Sequence, residues 1–150
     1  MRVVIQRVLQ ASVTIDGAVK SAIGKGFMIL LGIEVADTQE DALWLCKKIA
    51  ALRIFADDAG LMNRDIKESG GQVLVVSQFT LHAAYKKGNR PSFIKAARPE
   101  QAIPLYKYFL QQLGMELAQE VASGTFGADM QVCLINDGPV TILMDTQNKE

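Results

Sequence analysis

Apolar residues alternate with polar ones as soon as the chain begins. From Arg2 to Leu9 and again from Ala11 to Ile15, Val and Ile recur with partial period-two spacing, the mark of strands with one covered face. Asp16-Gly17 is a two-residue hairpin signal, and Val19 to Ile23 reads as the returning strand. After Gly24-Lys25-Gly26, the nearly unbroken apolar run Phe27 to Ile33 is too short for a typical helix and predicts a strand covered on both faces.

The period then changes. Thr38 stands as an N-cap with Asp41 three residues on, and Ala42, Leu43, Cys46, Ile49, Ala50 and Arg53 follow at helical spacing. A short strand is predicted at Arg53 to Phe55, then a turn at Asp57 to Gly60, then an apolar strand from Val73 to Phe79 behind Gly70-Gly71. Pro99 opens a second helix with a stripe of Ala102, Ile103, Tyr106, Phe109, Leu110 and Leu113, and Gly114 is its expected stop. Two last strands, Met130 to Ile135 and Val140 to Met144, flank a predicted turn at Asn136-Asp137-Gly138-Pro139. Strand-rich ends with inserted helices predict an α+β fold with a mostly antiparallel, curled, barrel-like sheet and two to three helices. No repeat or linker divides residues 1–150, so one domain is expected, with a polar, disordered tail at 146–150.

Composition narrows the function more than the fold. Sixteen basic residues balance sixteen acidic ones, so any contact with a polyanion must be local. No signal peptide is evident, and nowhere do about 18 apolar residues run together, which predicts a cytoplasmic protein without a membrane partner. Cys46 and Cys133 lack the close Cys or His neighbours of a zinc site and read as inert, mostly buried thiols, so no metal is expected.

The common catalytic signatures are missing, whether Walker loop, G-x-G-x-x-G, His-Glu-x-x-His or G-x-S-x-G. What remains is Ser77-Gln78-Phe79-Thr80 at a strand end, where side chains leave the sheet and become available to a ligand or merely cap the strand. Asn136-Asp137-Gly138-Pro139-Val140-Thr141 reads either as a plain turn or as a rigid presentation of main-chain carbonyls. Lys86, Lys87, Arg90, Lys95 and Arg98 follow without an intervening acid, either a solvated loop or a phosphate-reading patch. The single histidine, His82, has only Leu81, Ala83 and Ala84 beside it and no neighbour to orient it as a base.

Taken together, Ser77-Gln78-Phe79-Thr80-Leu81 and Asn136-Asp137-Gly138-Pro139-Val140-Thr141 resemble the two signature motifs of the D-aminoacyl-tRNA deacylase family. Ile5-Gln6-Arg7-Val8, Arg53-Ile54-Phe55, Gly88-Asn89-Arg90-Pro91-Ser92-Phe93 and Phe126-Gly127-Ala128-Asp129-Met130 are similar to it in the same order. The resemblance implies a homodimer in which a cis Gly138-Pro139 step enters the partner's pocket as a chiral selector, held by Arg7 and Gln78. It implies that Ser77, Phe79 and Thr80 line the cleft around the ester and the terminal adenosine of a D-aminoacyl-tRNA, with Met130 and Asn136 nearby. The patch at Lys86, Lys87, Arg90, Lys95 and Arg98 would meet the acceptor end, and no cofactor is implied. Leu61 and His82 depart from the family pattern and leave details of substrate contact open. Two competing readings stand beside this one: an editing domain for L-aminoacyl-tRNA, and a non-catalytic dimeric module that binds nucleotide or RNA.

Overall fold

One strand, β1 (Arg2–Ile15), touches three others and supplies both hydrophobic cores. The computed structural model describes residues 1–150. Asp16 and Gly17 both take positive φ (50° and 78°), as a two-residue hairpin turn requires, and return the chain as β2 (Ala18–Ile23). The apolar run becomes β3 (Gly26–Gly32), buried at every position but one. Helix α1 (Gln39–Ala50) follows, with the small hairpin of β4 (Phe55–Ala56) and β5 (Met62–Arg64). Then come β6 (Gln72–Ser77), a 3-10 turn at Phe79–His82, α2 (Pro99–Leu117), β7 (Ala122–Ser123) and β8 (Gln131–Asp145).

The sheet order is β2-β1-β3-β6-β7, with β8 paired to the other edge of β1. It is mixed: the three pairings of β1 are antiparallel, as expected, while β3 pairs β6 and β6 pairs β7 in parallel. The reason is the long connection from β3 to β6, which carries α1 across the sheet and so brings the chain back in the same direction. Ser21 of β2 donates a 2.7 Å hydrogen bond to the Ser123 carbonyl of β7, which curls the sheet toward a nearly closed barrel. Val3, Ile5, Phe27, Ile29, Val73 and Val75 join the core under the two helices, while Val8, Ala11, Val13, Met28 and Leu74 form a second, smaller core.

Both helices follow their predicted starts. The Asp41 carboxylate accepts from the Thr38 N–H at 2.9 Å and from its hydroxyl at 3.0 Å, closing the first turn of α1. The buried stripe is Ala42, Leu45, Cys46, Ile49 and Ala50, so Leu43 lies at its margin and Arg53 falls outside the helix. In α2 the expected stop at Gly114 is overturned, since the helix runs on to Leu117 and ends at Ala118 with φ 53°. Glycine inside a helix costs about 1 kcal/mol. Burying Leu117 returns roughly 1.5–3 kcal/mol, so the helix continues.

The predicted turn at 136–139 is also overturned. Val140 to Met144 does not fold back on Met130 to Ile135; both halves belong to β8 and pair antiparallel with β1. Between the pairs Gln6↔Thr141 and Gln10↔Ile135 the register shifts, so residues 137–140 stand out of the ladder as a bulge. Strand β6 ends at Ser77 instead of Phe79, and the short strand expected at Arg53 begins at Phe55. Cys46 is buried, and burial pushes its thiol up to about 12, whereas Cys133 is exposed on β8 rather than buried. Thr146, assigned to the polar tail, is buried instead: its N–H donates to the Met1 carbonyl (2.9 Å) and its hydroxyl accepts from the Met1 ammonium (2.7 Å), which also pairs with Asp37.

Asp145 closes this end of the sheet with a 2.7 Å ion pair to Arg2. Burial alone would raise its carboxyl, but the Gln147 N–H and the Arg2 guanidinium outweigh it and hold the carboxyl below the ordinary 3.8. A folded-state value below the unfolded one stabilises the protein above the unfolded value and is lost as pH falls through the folded one. Asp145→Asn is therefore expected to lower the thermal midpoint at pH 7, and the gap to wild type should close as the pH falls through and below the ordinary carboxylate range, measured by thermal melts across pH.

Candidate functional site

Because β3 and β6 are parallel, with Leu31 opposite Ser77, their C-terminal ends finish on the same side of the sheet. The chain leaves β6 there: the Gln78 N–H donates to the Leu31 carbonyl (2.8 Å), and Phe79–His82 then makes a single 3-10 turn. Gly32 allows a close approach at this point, since a Cβ would lie 3.0 Å from the Gln78 carbonyl oxygen and 3.1 Å from the His82 ring and would press both. A cavity of about 290 Å³ opens beside the turn. Leu30, Leu31, Ile33 and Val76 supply its apolar wall, Ser77, Gln78 and Phe79 its rim, and the segment Phe126 to Met130 the opposite side.

The structure brings together Ser77, Gln78, Phe79 and Met130 around this cavity. Thr80 sits at its edge, exposed, with its hydroxyl donating to Gln78 Oε1 at 2.8 Å. That bond fixes the Gln78 amide and presents no base to the Thr80 proton. The N–H groups of Phe79 and Thr80, first in their turn, find no acceptor within the chain. His82 is only 2% exposed, and neither ring nitrogen has a hydrogen-bond partner. It does not line the cavity, whose one ionisable lining residue is Asp129.

Arg7, Asn136, Gly138 and Pro139 lie elsewhere, in and opposite the bulge of β8, and none of them lines the cavity of its own chain. The Gly138-Pro139 bond is cis, as the family resemblance implies, and both residues are exposed. Two side chains of β1 hold the bulge. Gln6 Oε1 accepts from Asn136 Nδ2 at 2.9 Å, and Arg7 Nε sits 3.0 Å from Asp137 Oδ2. That ion pair is Coulombic, since the Nε–H is not aimed at the carboxylate and has no hydrogen-bond acceptor. Arg7 also donates to the Ile54 carbonyl, so its guanidinium bridges the bulge to the segment before β4. At Gly138 φ is 121°, and a Cβ there would meet Val140 Cγ2 at 2.9 Å and Arg7 Nη2 at 3.1 Å. Only glycine fits.

Lys86, Lys87, Arg90, Lys95 and Arg98 are all exposed, and none pairs with a carboxylate. Their loop is tied to the cavity by Phe93, whose ring meets Phe79 edge to face with centroids 5.1 Å apart. Sequence reasoning marked Phe126 to Asp129 as family-like without assigning it to the site, where it forms a wall and Gly127, with φ 77°, turns the chain. A larger cavity, about 390 Å³, lies between Arg2, Trp44, Lys48 and Leu143, and of the two signature motifs only Leu81 reaches it.

Residues 4–145 match the protein family described as D-Tyr-tRNA(Tyr) deacylase. The chain is 67% identical to the D-aminoacyl-tRNA deacylase of Phocaeicola vulgatus and 64% identical to that of Bacteroides thetaiotaomicron, each over all of both chains. Among solved structures it is similar to one titled c-Myc DNA Unwinding Element Binding Protein, with a TM-score of 0.91 and 43% identity, covering 97% of this chain and 99% of that one. A probable eukaryotic D-amino acid tRNA deacylase shares the fold alone, with a TM-score of 0.80 at 17% identity over 95% of this chain and 97% of that one. The class these matches define is that of the aminoacyl-tRNA deacylases, hydrolases of an ester bond. Within it, the chain belongs to the D-Tyr-tRNA(Tyr) deacylase family.

An edge-to-face aromatic pair contributes about 0.5–1.5 kcal/mol beyond the area it buries. Phe93→Ala is therefore expected to loosen the 84–98 loop more than the fold. Limited proteolysis at Lys86 and Lys87 should accelerate several-fold while the thermal midpoint moves little.

Proposed function

We propose that the protein is a D-aminoacyl-tRNA deacylase that admits D-aminoacyl and glycyl esters and rejects L-aminoacyl ones by a main-chain filter shared across a homodimer. The observation that carries this reading is the full-length match to deacylases, with the family-like Ser77 to Thr80 segment at the mouth of the strand-end cavity. The setting is cytoplasmic quality control of translation; no helix is long and apolar enough to cross a membrane.

A second subunit completes the site. Gly138 and Pro139 stand exposed on a bulge outside their own chain's cavity, and Ile135 and Leu143 leave apolar side chains uncovered along the same strand. In the dimer the step from one protomer would enter the cavity of its partner. Main-chain oxygens placed against the substrate Cα leave room for a hydrogen on that side, while the side chain of an L-residue would collide with backbone that cannot yield. Glycine carries no side chain to exclude, so its ester would pass.

The bond cleaved is an activated ester, and positioning with an oxyanion site supplies what a triad would otherwise supply. Water, assisted by the neighbouring 2′-hydroxyl of the terminal adenosine, adds to the ester carbonyl. The unpartnered N–H groups of Phe79 and Thr80 would steady the oxyanion, and the C–O bond then breaks to release the amino acid and the 3′-hydroxyl of the tRNA. Ser77 and Met130 would hold the adenosine and the ester in place, while Gln78, with Arg7, would hold the incoming Gly138-Pro139 step in orientation. Lys86, Lys87, Arg90, Lys95 and Arg98 would take acceptor-end phosphates, and binding should weaken as salt rises.

The test is hydrolysis of D-tyrosyl-, glycyl- and L-tyrosyl-tRNA by wild type and by Gly138→Ala. Wild type should cut the first two and spare the third, and the variant, whose new Cβ collides with Val140 and Arg7, should lose that discrimination. Release of L-tyrosine by wild type would favour an editing domain of the opposite hand, and no release from any ester would favour a non-catalytic RNA module.

Thr80→Ala separates two mechanisms. With Thr80 as a positioning hydroxyl on Gln78, the rate should stay within about tenfold of wild type, against the roughly 10⁴-fold or greater loss that follows removal of a true nucleophile. A trapped acyl-enzyme would overturn the assignment.

A further inference from the structure

The loop beyond the 3-10 turn is a built lobe. Ala84 and Ser92 exchange two backbone hydrogen bonds of 2.8 Å each, closing a neck around residues 85–91, and every residue from Ala84 to Ser92 is exposed. Below the neck the chain is fastened by the Phe93 ring against Phe79, by the Val35 N–H on the Lys95 carbonyl (3.1 Å) and by the Ala97 N–H on the Ile33 carbonyl (2.9 Å), beside the wall of the cavity. The lobe therefore projects from the rim of the site at a fixed place.

What it projects is three unpaired cations, Lys86, Lys87 and Arg90, and one ring. Tyr85 is 76% exposed, its hydroxyl makes no hydrogen bond within the chain, and its ring pairs with no other aromatic side chain. Helices or two-stranded ribbons read duplex grooves, and this short lobe is neither. A flat exposed ring among cations matches the other mode, in which an unpaired base stacks on the ring and its phosphates meet the charges.

We propose that the 84–92 lobe is a platform for single-stranded nucleic acid, on which Tyr85 stacks an unpaired base of the tRNA acceptor end. Lys86, Lys87 and Arg90 take the phosphates on either side. The inference rests on the deacylase reading for its substrate and adds a contact outside the cavity, which holds the ester and the terminal adenosine. A base stacked beside the rim guides the terminal nucleotide inward, so the contact acts in binding and not in bond cleavage.

The experiment compares wild type, Tyr85→Ala and Tyr85→Phe on D-tyrosyl-tRNA and on D-tyrosyl-adenosine, a substrate too short to reach the lobe. Tyr85→Ala should raise KM for the tRNA about tenfold, as loss of one stacked base predicts, with kcat within twofold. Its KM for D-tyrosyl-adenosine should shift less than twofold, and Tyr85→Phe should restore the tRNA value because the ring is what stacks. An unchanged KM for the tRNA, or equal losses on both substrates, overturns the proposal. Affinity for uncharged tRNA, measured by fluorescence anisotropy, reads the lobe without catalysis. If wild type hydrolyses nothing yet Tyr85→Ala weakens that affinity about tenfold, the deacylase reading falls and the platform stands.

Discussion

The pairing of β8 with β1 along nearly its whole length is the constraint on which the rest of the molecule depends. Both ends of the ladder are fixed, by Arg2 opposite Asp145 and by Thr14 opposite Gln131. Between Gln6 and Gln10 the longer strand must accommodate everything from Ile135 to Thr141, and the surplus has nowhere to go but outward. The exposed Gly138-Pro139 step is thus produced by register, and Gln6 and Arg7, the residues of β1 next to the surplus, are the ones that hold it. The same strand divides its apolar residues between two cores, so the bulge sits where the sheet changes which side it covers.

The cavity arises from a second constraint, the parallel pairing of β3 with β6. Parallel neighbours end together, and where they end the chain must leave the sheet with unpaired donors. Ser77 to Thr80 owe their availability to that geometry more than to any chemistry of their own. The walls are apolar, and the Thr80 hydroxyl at the edge is already engaged with an amide. Such a site suits a reaction in which placing the reactants matters more than proton transfer.

Much of this was legible in the chain, for local physical reasons. The positive-φ pair Asp16-Gly17 and the Thr38–Asp41 cap announce themselves within a few residues. Ser77 to Thr80 could be singled out because polar residues followed an apolar strand. What was not legible depends on distant partners. Asn-Asp-Gly-Pro is composed of turn residues, and nothing within it tells a turn from a bulge, because the distinction lies in pairing with β1 more than a hundred residues away. Gly114 looked like a stop until Leu117 found the core. The parallel pairing of β3 with β6 was hidden for the same reason, since strand direction follows from the path of α1. Cys133 and Thr146 differ from expectation because their burial is decided by position on β8 and by the Met1 network, not by residue type.

The long β1–β8 ladder also sets the order in which the molecule can be built. β1 is made well over a hundred residues before β8, so one edge of the central strand remains without its neighbour while everything between them is synthesised. Contacts of such sequence separation form slowly, because the intervening chain must be brought together before they repay its lost entropy. A nascent chain lacking β8 carries an open apolar edge. Completion of the sheet, and with it the outward step, waits until β8 itself has been made.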